Sequence, residues 1–90
     1  MPVSRHTARY KRLQTALKAA RKAAGLTQAQ VGERLGRPQS YVNKYETGER
    51  RLDVVEFMDV AEVLGATCAE LLKAASRTTG PAPRIKRRAD

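Results

Sequence analysis

The chain has 90 residues, enough for one small domain with a single hydrophobic core. Its 18 Lys and Arg residues outnumber nine Asp and Glu residues and give a formal net charge of +9, which favours a polyanionic partner such as nucleic acid. A lone cysteine excludes an internal disulfide, and the sequence has no long apolar run for a membrane span or a secretory signal, so we expect a cytoplasmic protein.

The first helix is predicted from about Ala8 to Ala24, after a flexible N-terminal arm of residues 1–7. Gly25 is expected to end it in a left-handed cap. The helix is basic and has no acidic residue, and its apolar residues recur at the three- and four-residue spacing of a buried helical face: Leu13, Leu17, Ala20 and Ala24.

Two short helices follow. Thr27 and Gln30 have the spacing of a capping box and predict the start of helix 2, which ends at Gly36. Helix 3 is expected to begin at Arg37 or Pro38 and to extend to about Thr47, with Gly48 closing it. Glycine inside helix 2, at Gly32, costs about 1 kcal/mol relative to alanine, so a close packing contact is expected there. The residues predicted to face the shared core are Val31, Leu35, Val42 and Tyr45.

Helices 4 and 5 have similar start signals, with Asp53 before Glu56 and Thr67 before Glu70. Gly65 separates the two helices. Their predicted core residues are Phe57, Val60, Ala61 and Leu64 in helix 4, and Leu71, Leu72 and Ala75 in helix 5. The pattern therefore predicts an all-α fold, a compact five-helix bundle over residues 8–76 that contains a helix-turn-helix.

After Ser76 the apolar periodicity stops, and residues 77–90 predict a basic, flexible C-terminal tail. The charge is polarised along the chain, because residues 1–25 have basic side chains and no acidic one, whereas residues 53–70 have acidic side chains and no basic one. We expect this polarity to turn the acidic side away from DNA.

The exposed face of helix 3 is the predicted DNA-contacting surface. With Val42 and Tyr45 turned inward, helical periodicity turns four polar side chains outward as candidates for base contacts: Gln39, Ser40, Asn43 and Lys44. The candidates for phosphate contacts are Gln28, Tyr41, Thr47, Arg50 and Arg51. For Tyr41 two interpretations are open, stacking on the sugar-phosphate backbone or covering the edge of the core.

Several short motifs resemble the Cro/repressor-type (Xre-like) helix-turn-helix domain over about Leu13 to Leu72. The motifs are Gly25-Leu26-Thr27-Gln28, Leu35-Gly36, Gln39-Ser40 and Glu46-Thr47-Gly48. The resemblance implies a five-helix fold, double-stranded operator DNA as partner and a homodimer on a pseudo-palindromic site. It also implies an ion pair between Arg21 and Glu46, phosphate contact at Gln28, and base contact at Gln39, Ser40 and Lys44. The chain departs from the family at Arg37, usually apolar, at Pro38, often a Ser or Thr cap, and at Gly32, more commonly alanine.

The sequence thus predicts a sequence-specific transcriptional regulator, a repressor, that contacts the major groove with helix 3. The alternative is an antitoxin-like protein that neutralises a toxin and regulates its own synthesis by binding DNA. Three acidic residues on one face of helix 4, Glu56, Asp59 and Glu62, could suggest catalysis, but no histidine, nucleophile or phosphate-binding loop accompanies them. We therefore expect no enzymatic activity, no cofactor and no metal site.

Overall fold

Five α-helices make up residues 8–76, the part of the chain that the computed structural model describes. They are α1 (Ala8–Ala23), α2 (Gln28–Leu35), α3 (Gln39–Thr47), α4 (Val54–Leu64) and α5 (Cys68–Ser76). No strand occurs within residues 8–76, which confirms the predicted all-α fold with a helix-turn-helix. The predicted N-terminal arm of residues 1–7 and the basic tail of residues 77–90 lie outside the described residues.

The starts of α2, α4 and α5 are set by local hydrogen bonds that the sequence predicted. In α2, the hydroxyl of Thr27 accepts a bond from the backbone N–H of Gln30 at 3.1 Å, and the Gln30 side chain accepts one from the N–H of Thr27 at 2.9 Å. The same reciprocal pair forms between Asp53 and Glu56 and between Thr67 and Glu70. Each box satisfies two N–H groups that helix geometry leaves without an intrahelical partner.

The core lies where α1 packs on α5 and α2 packs on α3, with α4 contacting α1, α2 and α5. Its largest fully buried side chains are Tyr45, Leu17, Val31, Val42 and Val60. The prediction for Leu72 was wrong, because this side chain is 51% exposed. Leu71 and Ala75, four residues apart, form the buried stripe of α5, and the helical rotation turns Leu72 outward. Ala24 is likewise exposed and lies one residue beyond α1.

Gly32 allows the backbone of the α2–α3 turn to pack closely against α2, which fixes the direction of α3 relative to α2. A methyl group at Gly32 would lie 2.7 Å from the carbonyl oxygen of Arg37 and 3.2 Å from that of Pro38. The N–H of Arg37 also donates to the carbonyl of Gly32 at 2.8 Å. The expected packing reason for this glycine is therefore a close approach of the turn backbone, and the turn itself passes through Gly36 with φ at 72°.

α3 begins one residue after the later of the two predicted positions. Pro38 is the N-cap, with φ at −69° and ψ at 160°, and α3 begins at Gln39. Proline has no side-chain acceptor, so no side chain caps this helix, although the Pro38 carbonyl accepts a bond from the N–H of Tyr41 at 3.0 Å. The side-chain positions of α3 relative to the core are unchanged by this shift.

Candidate nucleic-acid interface

The outer face of α3 is a row of polar side chains. Its inner face is anchored by Val42, which is fully buried, and Tyr45, which is 1% exposed. The structure places all four predicted base-contacting side chains on the exposed surface: Gln39, Ser40, Asn43 and Lys44. An amide, a hydroxyl and an ammonium group can all hydrogen-bond base edges in a major groove, so this face has suitable chemistry for direct contact with bases.

A buried ion pair holds the end of α3 against α1. Arg21 Nε lies 2.7 Å from Glu46 Oε2, and Arg21 Nη2 donates to Glu46 Oε1 at 3.2 Å. Arg21 Nη1 donates to the carbonyl of Leu26 at 2.9 Å. The hydrogen bond to Glu46 raises the pKa of the Arg21 guanidinium, so the arginine stays charged. This two-bond geometry fixes both the distance and the rotation of α3 relative to α1.

Gln28 connects that ion pair to the exposed face of α3. Its Nε2 donates to Glu46 Oε1 at 3.0 Å, and its Oε1 accepts bonds from Gln39 Nε2 at 3.3 Å and Asn43 Nδ2 at 3.4 Å. Because a carboxylate only accepts hydrogen bonds, Glu46 requires the NH₂ group of Gln28 on its side. The amide oxygen must then face α3, which leaves Gln39 and Asn43 as donors toward Gln28.

A second contact from α1 supports the end of α3, and the sequence reasoning missed it. Gln14 Nε2 donates to the carbonyl of Glu46 at 3.1 Å. The same Gln14 amide lies against Gly48, where an added Cβ would come within 3.1 Å of it. The sequence did contain a signal for this contact. One face of α1 includes Gln14, Leu17 and Arg21, which are three and four residues apart. A polar residue on the same helical face as a buried leucine indicates that it has a hydrogen-bond partner within the fold.

Tyr41 lies at the edge of the core and is only 9% exposed. Its ring meets that of Tyr45 edge to face, with centroids 5.7 Å apart and an interplanar angle of 81°. Burial raises the pKa of the Tyr41 phenol. Of the two sequence interpretations, covering the core edge therefore describes its position, and contact with a phosphate stays a prediction.

The loop after α3 is held by an ion pair between Arg50 and Glu56. Arg50 Nη1 and Nη2 donate to the two oxygens of the Glu56 carboxylate at 2.9 and 2.8 Å. These bonds, together with the capping bond from the N–H of Asp53, lower the pKa of Glu56 to about 2. Thr47 and Arg51 are exposed, and the Arg51 guanidinium lies 4.5 Å from the centroid of the Tyr10 ring. Of the five predicted phosphate-contacting residues, Gln28 and Tyr41 thus lie near the start of α3. Thr47, Arg50 and Arg51 lie at its end and in the loop that follows.

A family model described as helix-turn-helix matches residues 17–71, more than half of the chain. An XRE-family like protein from Pseudomonas syringae pv. tomato is similar in structure, with a TM-score of 0.73, 51% sequence identity, and coverage of 78% of this chain and 85% of that chain. The chain belongs to the XRE-type helix-turn-helix family. It is a DNA-binding transcription regulator of a family that is generally non-enzymatic.

A more distant solved structure, the clp gene regulator ClgR from C. glutamicum, shares the fold of this XRE-type chain. Its TM-score is 0.71 at 24% identity, with coverage of 82% of this chain and 94% of that one. No curated protein matches the chain. In residues 8–76, no group of three or more His, Cys, Asp or Glu residues is arranged to hold a metal, and no helix is long and apolar enough to cross a membrane.

Proposed function

We propose that this XRE-type protein is a sequence-specific repressor that binds operator DNA as a homodimer, with α3 in the major groove. The observation that carries the proposal is the exposed row of hydrogen-bonding side chains on α3. The buried pair of Arg21 and Glu46 fixes that row in place. A surface selected only for solubility would need neither a fixed amide orientation nor a buried ion pair beneath it.

Three of the four exposed side chains have a preferred partner among the bases. The amides of Gln39 and Asn43 can donate to N7 of adenine and accept a hydrogen bond from its N6 amino group. Lys44 favours the O6 and N7 acceptors of guanine, and Ser40 can bond either a base or a phosphate. We therefore expect a half-site that contains both adenine and guanine in the bases that face α3.

The phosphate contacts are proposed at the ends of α3. Gln28 uses one N–H of its amide on Glu46, and its second N–H is proposed to donate to a phosphate. Thr47, Arg50 and Arg51 are proposed to bind the backbone beyond the C-terminal end of α3, with Tyr41 beside them. These contacts would set the register of the protein on the duplex, whereas the α3 face would select the sequence.

The excess of basic residues, a formal net charge of +9, supports a polyanionic partner. The expected separation of charge is incomplete, because Glu56 of α4 is bonded to Arg50 beside α3. Two copies related by a two-fold axis would bind two half-sites about one helical turn, or about 34–36 Å, apart. An operator that overlaps a promoter would be closed to polymerase when occupied in this way, and we propose repression on that ground.

Selection of bound duplexes from a random pool tests the proposal. The expected result is a pseudo-palindromic consensus whose half-sites are separated by about one helical turn or a multiple of it. Sedimentation of the selected complex should give two protein chains for each duplex. A non-palindromic consensus bound by one chain would contradict the dimer, and recovery of random sequence would contradict sequence-specific binding.

A further inference from the structure

Three side chains stack along one side of α3. The Arg37 guanidinium carbon lies 4.7 Å from the centroid of the Tyr41 ring, and that of Arg50 lies 4.9 Å from the same centroid. Arg37 precedes α3 and Arg50 follows it, while Tyr41 lies in its first turn. One aromatic ring therefore positions two cations that come from opposite ends of the helix.

The surroundings of the ring make this arrangement stable. The negative face of an aromatic ring attracts a guanidinium group, and Glu56 neutralises Arg50 through two hydrogen bonds. The Tyr41 ring is itself fixed by its burial and by edge-to-face contact with Tyr45. Both arginines are thus held at the surface by a rigid support, which reduces the conformational entropy they would lose on binding an anion.

The bonds already made by Arg50 leave one edge of its guanidinium group for another acceptor. Nη1 donates to Glu56 and to the carbonyl of Arg51, and Nη2 donates once, to Glu56. A guanidinium has five N–H groups, so the Nε–H and the second Nη2 N–H remain, and these two lie on the same edge. That edge matches two oxygens of one phosphate. Arg37 is exposed, and stacking uses the face of its guanidinium while leaving its N–H edges for hydrogen bonds.

We propose that Arg37, Tyr41 and Arg50 form a clamp for the phosphates of one DNA strand. The two arginines donate to phosphate oxygens, and Tyr41 is a positioning residue that acts through its ring rather than its hydroxyl. The inference rests on the proposed DNA-binding function and deepens it. It assigns a phosphate contact to Arg37, a residue that the sequence motifs did not indicate, and it replaces the proposed phosphate contact of Tyr41 with support of the two arginines by its ring.

The test is the salt dependence of binding to a duplex selected from the random pool, measured by fluorescence anisotropy at several salt concentrations. Arg37→Gln should weaken binding by on the order of tenfold or more, since a charged hydrogen bond is lost. It should also make the slope of log affinity against log salt shallower by about 0.9. The matched control is Arg34→Gln, which removes the same charge from an exposed position on α2 and should leave the slope unchanged.

Two changes at Tyr41 separate the ring from the hydroxyl. Tyr41→Phe keeps the stack and should bind as the wild type does, whereas Tyr41→Leu should reproduce the shallower slope of Arg37→Gln. A wild-type slope for Arg37→Gln, or a lowered slope for Tyr41→Phe, would overturn the clamp while leaving the proposed function intact. Failure of the wild-type protein to bind any selected duplex would overturn the proposed function, and the clamp with it. Melting curves show whether a variant has unfolded. If Tyr41→Leu does so, the results for Tyr41→Phe and Arg37→Gln still decide the proposal.

Discussion

Gln28 Nε2 lies 3.0 Å from Glu46 Oε1, so the first residue of α2 is bonded directly to the carboxylate that holds the C-terminal end of α3. The same carboxylate is paired with Arg21 of α1. Three helices therefore meet at one side chain. Because Gln28 also accepts bonds from Gln39 and Asn43, the orientation of the exposed amides of α3 depends on this buried centre.

Removing Glu46 should strongly destabilise the protein. Glu46→Ala leaves Arg21, which is 8% exposed, without its partner, and breaking a buried pair in this way costs about 3–5 kcal/mol. Urea unfolding measures the loss, with Glu62→Ala as the control because Glu62 is exposed on α4. Replacing both partners, as Arg21→Met with Glu46→Leu, should recover much of the lost stability. Equal unfolding midpoints for Glu46→Ala and Glu62→Ala would contradict the structural role of the pair.

Tyr45→Phe should be neutral or stabilising. The Tyr45 hydroxyl is buried and has no hydrogen-bond partner among the described residues, so its desolvation is uncompensated. Removing it should raise the free energy of unfolding by about 0–2 kcal/mol, since the aromatic ring keeps its packing. Tyr10→Phe is the matched control, because the Tyr10 hydroxyl donates to the carbonyl of Arg50 at 3.4 Å. A clear loss of stability in Tyr45→Phe would show that the hydroxyl has a partner in solution.

The stability contributed by the Glu56 charge should depend on pH. The folded-state pKa of Glu56, about 2, is below its ordinary value of 4.5, so this contribution is fully present above about pH 4.5 and is lost as the pH falls toward 2. Glu56→Gln keeps a capping acceptor for the Asp53 N–H but removes the charge. The difference in unfolding free energy between wild type and Glu56→Gln should therefore shrink as the solution is acidified. A difference that stays constant from pH 7 to pH 2.5 would show that the ion pair with Arg50 adds nothing.

Sequence selectivity should depend on Gln39 and Lys44. Alanine at either position should cost about 1–3 kcal/mol on the selected duplex and much less on a scrambled duplex, because a base contact is lost rather than a phosphate contact. Lys18→Ala provides a control for charge, since Lys18 is exposed on α1. Parallel titrations of both duplexes measure the two losses. Equal losses on the selected and scrambled duplexes would show that another face of the protein enters the groove.

The sequence predicted the parts of this fold that depend on neighbouring residues. Capping boxes such as Thr27 with Gln30 span three residues, and the buried stripe with Val42 and Tyr45 follows from helical period, so both could be derived without tertiary knowledge. Leu72 shows the limit: it is next to Leu71, and only the direction from which α1 packs on α5 decides which leucine is buried.

The same limit applies to the interface. The outward positions of Gln39 and Lys44 follow from the rotation of α3, which the sequence determines. The bonds of Gln28 to Glu46 and the stacking of Arg37 on Tyr41 join residues from different elements. Such contacts depend on how closely the backbone of the α2–α3 turn approaches Gly32. The spacing of residue types along the sequence does not specify that distance.

The hydrogen bonds from Gln39 and Asn43 to Gln28 have a thermodynamic consequence. These two amide side chains, which would otherwise rotate at the surface, are already restricted before DNA arrives. Ordering a rotamer-rich side chain at an interface costs about 0.5–1.5 kcal/mol, and this molecule meets part of that cost when it folds. Calorimetry should therefore show a smaller unfavourable entropy of operator binding for the wild type than for Gln28→Ala. Gln28→Ala should also bind more weakly, because it removes the proposed phosphate contact of Gln28, so the comparison is made on the entropy of binding and not on the affinity alone.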